Sequence, residues 1–151
     1  MSESALEDQL LNRLQGFLME LGDGFCFEAR RKRITFDNDP CFIDLVFYHR
    51  ILKCHVLVEL KLAAFSHENI GQLNTYVNWY GRHMRSKGDN APIGILLCTR
   101  KDHALMEYAL AGMDNRLFVS RHQLELPKNE DMQRFLEAQI SELDAPVARS
   151  G

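Results

Sequence analysis

The spacing of apolar residues in the first half of the chain predicts one helix followed by three strands. Between residues 4 and 21 apolar side chains recur at helical intervals, and Gly22 and Gly24 follow as residues that end helices. Apolar and polar residues then alternate, which is typical of strands, and residues 37–40 have the composition of a turn. The predicted strands cover residues 25–36, 42–48 and 54–62.

The second half begins with a longer helix and then returns to a strand. Apolar residues at helical spacing run from Ser66, which suits an N-cap, to His83. The continuous apolar run at residues 93–98 is expected of a strand that is covered on both faces. Three shorter elements complete the prediction: a helix over 102–111, a strand over 117–119 and a helix over 131–143.

These elements predict an α/β fold in the order α-β-β-β-α-β-α-β-α. Three successive strands before a helix and a further strand imply a mixed sheet with helices on both faces. A chain of 151 residues suffices for one domain with a sizeable core, and no repeat or linker divides it. Residues 1–151 are therefore predicted to form a single domain, with a tail that frays after about residue 145.

Composition and charge limit the class of protein. A content of 46% hydrophobic and 26% charged residues is ordinary for a globular protein, and no apolar run reaches the length of a membrane span. The acidic N-terminus lacks a signal-peptide pattern, so we expect a cytoplasmic protein with no membrane partner. Residues 25–124 carry 14 Lys and Arg against 10 Asp and Glu, whereas both ends of the chain are acidic. The basic residues are densest at 30–33 and at Arg82, Arg85 and Lys87, and such clusters, Arg31 and Arg33 among them, would form a phosphate track only if they lay beside a site.

The cysteines favour a structural role over a zinc site. Cys26, Cys41, Cys54 and Cys98 form no CxxC pair, and their spacing with His49 or His55 matches no usual zinc pattern. Buried reduced thiols are the expected interpretation. A zinc-stabilised structural protein remains an alternative that metal analysis would test.

The second and third strands predict a hairpin that brings two carboxylates together. The register that keeps one side apolar pairs Ile43 with Leu60, Leu45 with Val58 and Phe47 with Val56. On the other side Asp44 then opposes Glu59, and Lys61 projects from the same face of the strand. Opposed carboxylates repel one another unless a cation lies between them, and Mg²⁺ prefers carboxylate oxygens. Asp, Glu and Lys around a divalent ion suit phosphodiester hydrolysis; an ordinary solvated ion pair of Glu59 with Lys61 is the alternative.

These residues resemble the core motif of the PD-(D/E)XK nuclease superfamily. Asp44 followed by Glu59-Leu60-Lys61 is similar to the motif itself, and Gln72-Leu73-Asn74-Thr75-Tyr76 resembles the QxxxY element of its RecB-like branch. Four longer stretches are similar to the nuclease domain of YhcG-like bacterial proteins: FLMELGDGFCFEARRKRI, FIDLVFYHR, VELK and IGILLCTRKDHALMEYAL. The resemblance covers roughly residues 5–140 and implies a restriction-endonuclease-like αβββαβ core.

The resemblance also implies roles for individual residues. Asp44 and Glu59 would be metal ligands together with the Leu60 carbonyl, and Lys61 would be the catalytic lysine. Gln72 would orient the substrate or the motif, Tyr76 would stand nearby as a nucleic-acid contact, and Glu20 matches an acidic residue that many relatives place on the first helix. The motif's proline is absent next to the aspartate, where Ile43 stands, and Pro40 lies four residues before Asp44.

The leading hypothesis is a DNA endonuclease that depends on Mg²⁺ or Mn²⁺, with branched or mobile-element DNA as one substrate class that the resemblance suggests. The alternative is a catalytically silent nuclease-fold module that binds nucleic acid or a protein partner, which the acidic net charge of -3 keeps open. YhcG-like proteins commonly carry an additional N-terminal domain that these residues do not include, so we expect either a fragment or a stand-alone form. The sequence leaves open whether the chain forms a homodimer.

Overall fold

The computed structural model describes residues 3–21, 24–62, 67–100 and 103–111, together with positions 134 and 138. Side chains are described for residues 5–20, 24–62 and 68–97 of these segments. The elements in them are α1 (Glu3–Leu21), β1 (Phe25–Phe36), β2 (Asp39–His49), β3 (Cys54–Lys61), α2 (His67–His83), β4 (Ile93–Arg100) and β5 (His103–Ala111).

The five strands form one mixed sheet in the order β1-β2-β3-β4-β5. The first three strands are antiparallel neighbours, and β4 then runs parallel to β3 because α2 crosses over between them. The fifth strand of the described residues, β5, pairs antiparallel with β4. The α/β class, the mixed sheet and the αβββαβ order predicted from the sequence are confirmed.

Each helix covers a different face of the sheet. One apolar cluster joins α1 to the sheet and the other joins α2 to it. The α1-side cluster includes Leu10, Leu14, Leu18, Leu45, Val56, Val58, Leu60 and Ile95, and the α2-side cluster includes Ile43, Val46, Leu57, Leu73, Val77, Tyr80 and Leu96. Since the strand residues of β3 divide between the clusters by alternation, Leu57 and Glu59 face α2, whereas Val58 and Leu60 face α1.

Two contacts fix α2 against the sheet. Gly94 of β4 lies directly under the helix, where an added Cβ atom would come within 2.8 Å of side-chain atoms of both Leu73 and Val77. The Tyr80 hydroxyl donates a hydrogen bond to Glu28 Oε2 at 3.3 Å, which ties α2 to β1, and His55 Nε2 lies 3.1 Å from Glu28 Oε1. These contacts determine which residues of α2 reach the carboxylates of the hairpin.

The predicted helix over 102–111 is wrong, because residues 103–111 form strand β5. Their alanine, leucine, methionine and glutamate residues favour a helix, but β4 is an apolar strand that needs a hydrogen-bonding neighbour on its second edge. The predicted strand at 117–119 lies outside the described residues. Of the predicted helix over 131–143 only Arg134 and Ala138 are described, and both are helical. Ser66 also lies outside the described residues, and no helix among the described ones is long and apolar enough to span a membrane.

Candidate active site

Asp44 lies at the point where β2 separates from β3. The pairs Leu45 with Val58 and Phe47 with Val56 confirm the register that the sequence predicts. Pairing of the two strands ends at Leu45, and the next N–H group of β3 that faces β2, that of Leu60, donates to Asp44 Oδ2 at 2.9 Å. A side chain thus replaces the backbone acceptor, which fixes the orientation of the Asp44 carboxylate.

The separation of the strands corrects two predicted pairs, because the ladder ends at Leu45 with Val58 and includes neither Asp44 with Glu59 nor Ile43 with Leu60. Ile43 was expected to oppose Leu60 across the ladder, but it packs in the α2-side cluster while Leu60 packs in the α1-side cluster. Once the Asp44 carboxylate has taken the Leu60 N–H, the backbone of β2 before Leu45 is released from β3. The tip of the β1–β2 hairpin can then turn toward α2.

Glu59 is a buried carboxyl group with an unsatisfied oxygen. It is 7% exposed, and its Oε1 atom has no hydrogen-bond partner among the described residues. Burial raises the pKa of Glu59 to about 9, with further contributions from the charge of Asp44 and from a hydrogen bond to Asp44, and the charge of Lys61 offsets only part of this rise. An isolated chain therefore holds a proton on Glu59 at neutral pH, in a place where a cation could take over the proton's role.

Lys61 ends β3 beside the two carboxyl groups. Its side chain is half-buried, and its charge acts on Glu59 without forming an ion pair with Glu59 or Asp44 in the described part of the chain. The alternative of a solvated surface pair between Glu59 and Lys61 is not supported, because Glu59 is buried and the pair is not formed. The ammonium group is left available for a water molecule or a phosphate oxygen.

Tyr76 lies near the two carboxyl groups, on the face of α2 that packs on the sheet. The residue is 5% exposed, and burial together with the nearby Cys41, Glu59 and Asp44 raises the pKa of its phenol to about 12. The hydroxyl therefore remains protonated and can donate a hydrogen bond. No pattern in the sequence indicates the contact with Cys41, since it depends on the turn of the hairpin tip toward α2.

The other residues singled out from the sequence are less closely tied to the carboxylates. Gln72 is exposed one helical turn before Tyr76 on α2. Glu20 is exposed near the end of α1, on the helix that covers the opposite face of the sheet, and no hydrogen bond or ion pair joins it to the carboxylates within the described segments. Arg31 and Arg33 are exposed on β1.

Arg31 nevertheless lies close to the site in the register of the sheet. The pairs Arg30 with Leu45 and Lys32 with Ile43 place it across β1 and β2 from Asp44. It has a positive φ of 52°, unusual for a residue with a side chain, and its guanidinium group lies 5.9 Å above the Phe42 ring. Arg31 therefore lies on the strand next to Asp44, and Arg33 follows two residues further along β1, opposite Phe42.

The donor set suits a divalent cation that prefers oxygen. Two adjacent carboxyl groups, one with an unpartnered buried oxygen, provide the negative charge that Mg²⁺ or Mn²⁺ requires. The zinc alternative gains no support, because no group of three or more His, Cys, Asp or Glu converges among the described residues. His49 accepts the Leu52 N–H through Nδ1, and His55 is engaged with Glu28.

Comparisons with known proteins identify the family of this chain. The family model described as the YhcG PDDEXK nuclease domain matches residues 1–137. A curated relative, "Putative nuclease YhcG" of Escherichia coli (strain K12), is 40% identical over 126 residues, which are 83% of this chain and 34% of the relative. The chain therefore spans about a third of that protein. The crystal structure of SSO0001 aligns with 96% of this chain and 64% of its own at 16% identity, with a TM-score of 0.43.

Proposed function

Because the chain belongs to the YhcG PDDEXK nuclease domain family, we propose that it hydrolyses phosphodiester bonds of DNA with Mg²⁺, or with Mn²⁺ in its place. Nucleases of this superfamily generally use divalent metals. The observation that carries the proposal is the buried Glu59, whose Oε1 atom lacks a partner beside Asp44 and Lys61. A protein gains nothing in stability from such a group, so a ligand that satisfies it is the natural explanation.

Asp44 and Glu59 would hold the cation, and the other side chains would prepare the substrate. A divalent cation in this position would polarise the phosphate and lower the pKa of a water molecule. The Leu60 N–H keeps the Asp44 carboxylate in one orientation. Glu59 must lose its proton when the cation binds, so that binding releases a proton. Lys61 offers its ammonium group to the attacking water or to a phosphate oxygen.

Residues around the carboxylates would place the DNA strand. The Tyr76 phenol stays protonated and can donate to the substrate or to a carboxylate. Gln72 is exposed on the same helix one turn away, and Arg31 lies across from Asp44 on β1, where a phosphate next to the scissile one would pass. Glu20 remains a proposed catalytic residue, and its contribution would depend on the position of the bound substrate.

The substrate class, the cellular location and the assembly are proposals of the same kind. We propose branched or mobile-element DNA as the substrate, the cytoplasm as the location and a homodimer as the assembly. These three proposals concern the whole protein and not the site alone. Since the chain covers 34% of its curated relative, a further domain could hold part of the substrate recognition. The runner-up function is a silent module of the same fold that binds nucleic acid or a protein without cleavage.

One assay separates these two functions. The purified chain is incubated with duplex, single-stranded, flapped and four-way DNA in Mg²⁺, in Mn²⁺ or in chelator, with Glu59→Gln as the control for contaminating nucleases. Cleavage that needs a divalent cation and disappears in the variant supports the proposal. Binding of DNA without cleavage in either metal would favour the silent module.

A further inference from the structure

A groove on the outer side of α2 is closed by the same β1–β2 hairpin that carries Asp44. Its volume is about 230 Å³, less than the roughly 300–1,000 Å³ of pockets for drug-sized ligands. It is lined by Phe36, Thr75, Asn78, Trp79, Arg82 and His83. Five of the six residues come from α2, where their spacing of three or four residues places them on one face of the helix. Phe36 closes the groove from the tip of the β1–β2 hairpin.

Three aromatic rings line this groove and are not all required by the core. Trp79 and His83 lie one helical turn apart with ring centroids 4.6 Å apart and planes tilted by 39°. Phe36 is 41% exposed and stands just before the turn residues Asp37 and Asn38, both of which have positive φ. This turn keeps the ring of Phe36 exposed to solvent, where a ligand with a flat apolar face can stack on it.

The polar residues of the groove suit the edge of a base and its phosphate. Asn78 and Arg82 are exposed and make no hydrogen bond or ion pair with other residues in the described ranges. The Thr75 hydroxyl donates to the Gly71 carbonyl and can still accept. An amide that both donates and accepts, beside a guanidinium, matches the polar rim of a nucleobase and the charge of a backbone phosphate.

The groove and the candidate site share α2 and the β1–β2 hairpin. Thr75 lines the groove, and the next residue, Tyr76, is buried on the sheet side of α2, near enough to Asp44 and Glu59 for their charges to raise the pKa of its phenol. At a rise of 1.5 Å per residue the stretch from Tyr76 to His83 spans about 10 Å, about three stacked nucleotides at 3.4 Å each. A strand whose scissile phosphate lies at Asp44 and Glu59 can therefore bring a base one to three nucleotides away into the groove.

We propose that this groove stacks one unpaired nucleobase of the DNA strand that the site cleaves. A base in a duplex keeps its faces covered by its neighbours, so only a flipped or single-stranded base can enter between rings. The inference rests on the proposed function and narrows it to substrates with an unpaired nucleotide near the scissile bond, such as flaps, single strands or junctions. An apolar side chain of a protein partner is the competing occupant.

Trp79 provides a direct measurement, because it is the only tryptophan of the chain. Its fluorescence is followed while the wild-type chain in chelator is titrated with a flapped duplex, and then with the same duplex carrying abasic sites in the flap. Stacking should quench Trp79 with the intact flap alone, and the abasic flap should bind about tenfold more weakly. No cleavage is needed, so this result does not depend on whether the chain hydrolyses DNA.

Variants identify the groove as the source of the signal. Phe36→Ala should weaken binding of the intact flap to the level of the abasic flap, whereas Ile51→Ala should leave the difference intact. Ile51 is 44% exposed, close to the 41% of Phe36, and lies in the β2–β3 turn outside the groove. Equal binding of both flaps, or a difference that survives Phe36→Ala, overturns the proposal. Unchanged Trp79 emission with every DNA also overturns it and leaves the protein side chain as the better occupant. Cleavage in the metal assay without base-dependent quenching would retain the nuclease and reject the subsite.

Discussion

Burial of Glu59 makes the stability of the metal-free chain depend on pH. The pKa is about 9 in the folded chain and close to the ordinary 4.5 in the unfolded chain, so between these values the folded state binds more protons. The free energy of unfolding in chelator should then fall as pH rises from about 4.5 to 9. The equilibrium constant for folding should decrease by at most about tenfold for each pH unit in this range. Glu59→Gln cannot titrate and should lack this component. Denaturant melts of both proteins at several pH values check it; parallel pH profiles would contradict it.

Substitutions at the three motif residues should separate ligand from catalyst. Asp44→Asn and Glu59→Gln remove charge that the cation needs, so both should weaken Mg²⁺ binding in calorimetry and abolish cleavage. Lys61→Ala should also abolish cleavage but bind Mg²⁺ as well as the wild type or better, because a neighbouring positive charge disfavours a cation.

The same three variants test a purely structural origin of the cluster. In chelator, Glu59→Gln should hold or gain stability, because it replaces a buried carboxyl group that is costly to ionise by a neutral amide. Asp44→Asn should also hold or gain stability, because it removes the charge that disfavours ionised Glu59 while asparagine can still accept the Leu60 N–H. If all three variants lost stability in chelator and Mg²⁺ made no difference to any protein, the residues would form a structural cluster and the metal site would be wrong.

Gln72 should matter for cleavage and little for folding. It is exposed on α2, and exposed substitutions away from special features change the free energy of unfolding by about 0.5 kcal/mol or less. Gln72→Ala is expected to reduce the cleavage rate with a nearly unchanged melting temperature, and Asn74→Ala, another exposed position of α2, serves as the control. A large loss of stability would identify Gln72 as a structural residue instead.

At the level of elements, local pattern predicted most of the sheet and both described helices. The bounds of β1 and the end of α2 at His83 were predicted because alternation and helical spacing are properties of neighbouring residues. Strand β5 was missed, because pairing with β4 rather than its own composition decides its conformation. The groove was missed for the same reason, since Phe36 meets Trp79 only after the hairpin has turned toward α2.

The sequence predicted the residues of the site better than their surroundings. The predicted register of β2 and β3 is observed up to Leu45 with Val58, since a slip of one residue would place charge in the core, and it leaves Asp44 near Glu59 just beyond the end of the ladder. The depth of Glu59 and the contact of Tyr76 with Cys41 depend on how α2 docks on the sheet, and nothing in the strand pattern specifies that. Whether the named residues act as ligand, catalyst or substrate contact stays a prediction.

The seating of α2 on β4 should control both stability and activity. A Cβ atom at Gly94 would approach Leu73 and Val77 within 2.8 Å, so Gly94→Ala must push the helix outward. Overpacking of this kind typically costs about 1–3 kcal/mol, and the shift would also move Tyr76 away from the carboxylates. Melts and cleavage rates measured on the same samples should both fall.

Gly71→Ala is the matched control for this packing. Gly71 lies in α2 with nothing within 4 Å of an added Cβ atom, and alanine favours a helix over glycine by up to about 1 kcal/mol. This variant should melt at the same or a higher temperature with unchanged cleavage. If Gly94→Ala behaved like Gly71→Ala, the helix would not be seated on β4 as described.

For the whole molecule, the distribution of charge limits how DNA can bind. The net charge of -3 disfavours DNA, but the basic central part of the sequence contributes Arg31 and Arg33 on the strand next to Asp44. Affinity for DNA should therefore be modest and electrostatic, and the logarithm of the binding constant should fall linearly with the logarithm of salt concentration. Each phosphate that is neutralised contributes about 0.9 to the slope.

Charge reversal at the arginines should flatten this salt dependence. Arg33→Glu and Arg31→Glu should each remove about one phosphate contact, which lowers the slope by about 0.9 and weakens binding similarly for every DNA sequence. Lys53→Glu makes the same change of charge at an exposed residue of the β2–β3 turn, at the opposite end of β2 from the residues that pair beside Arg31 and Arg33, and should leave the slope near that of the wild type. Like Arg31, Lys53 has a positive φ, 54° against 52°, so the control also matches the backbone strain. Equal slopes for all four proteins in fluorescence-anisotropy titrations would mean that β1 is no phosphate track, and the DNA would have to approach Asp44 and Glu59 from the α2 side alone.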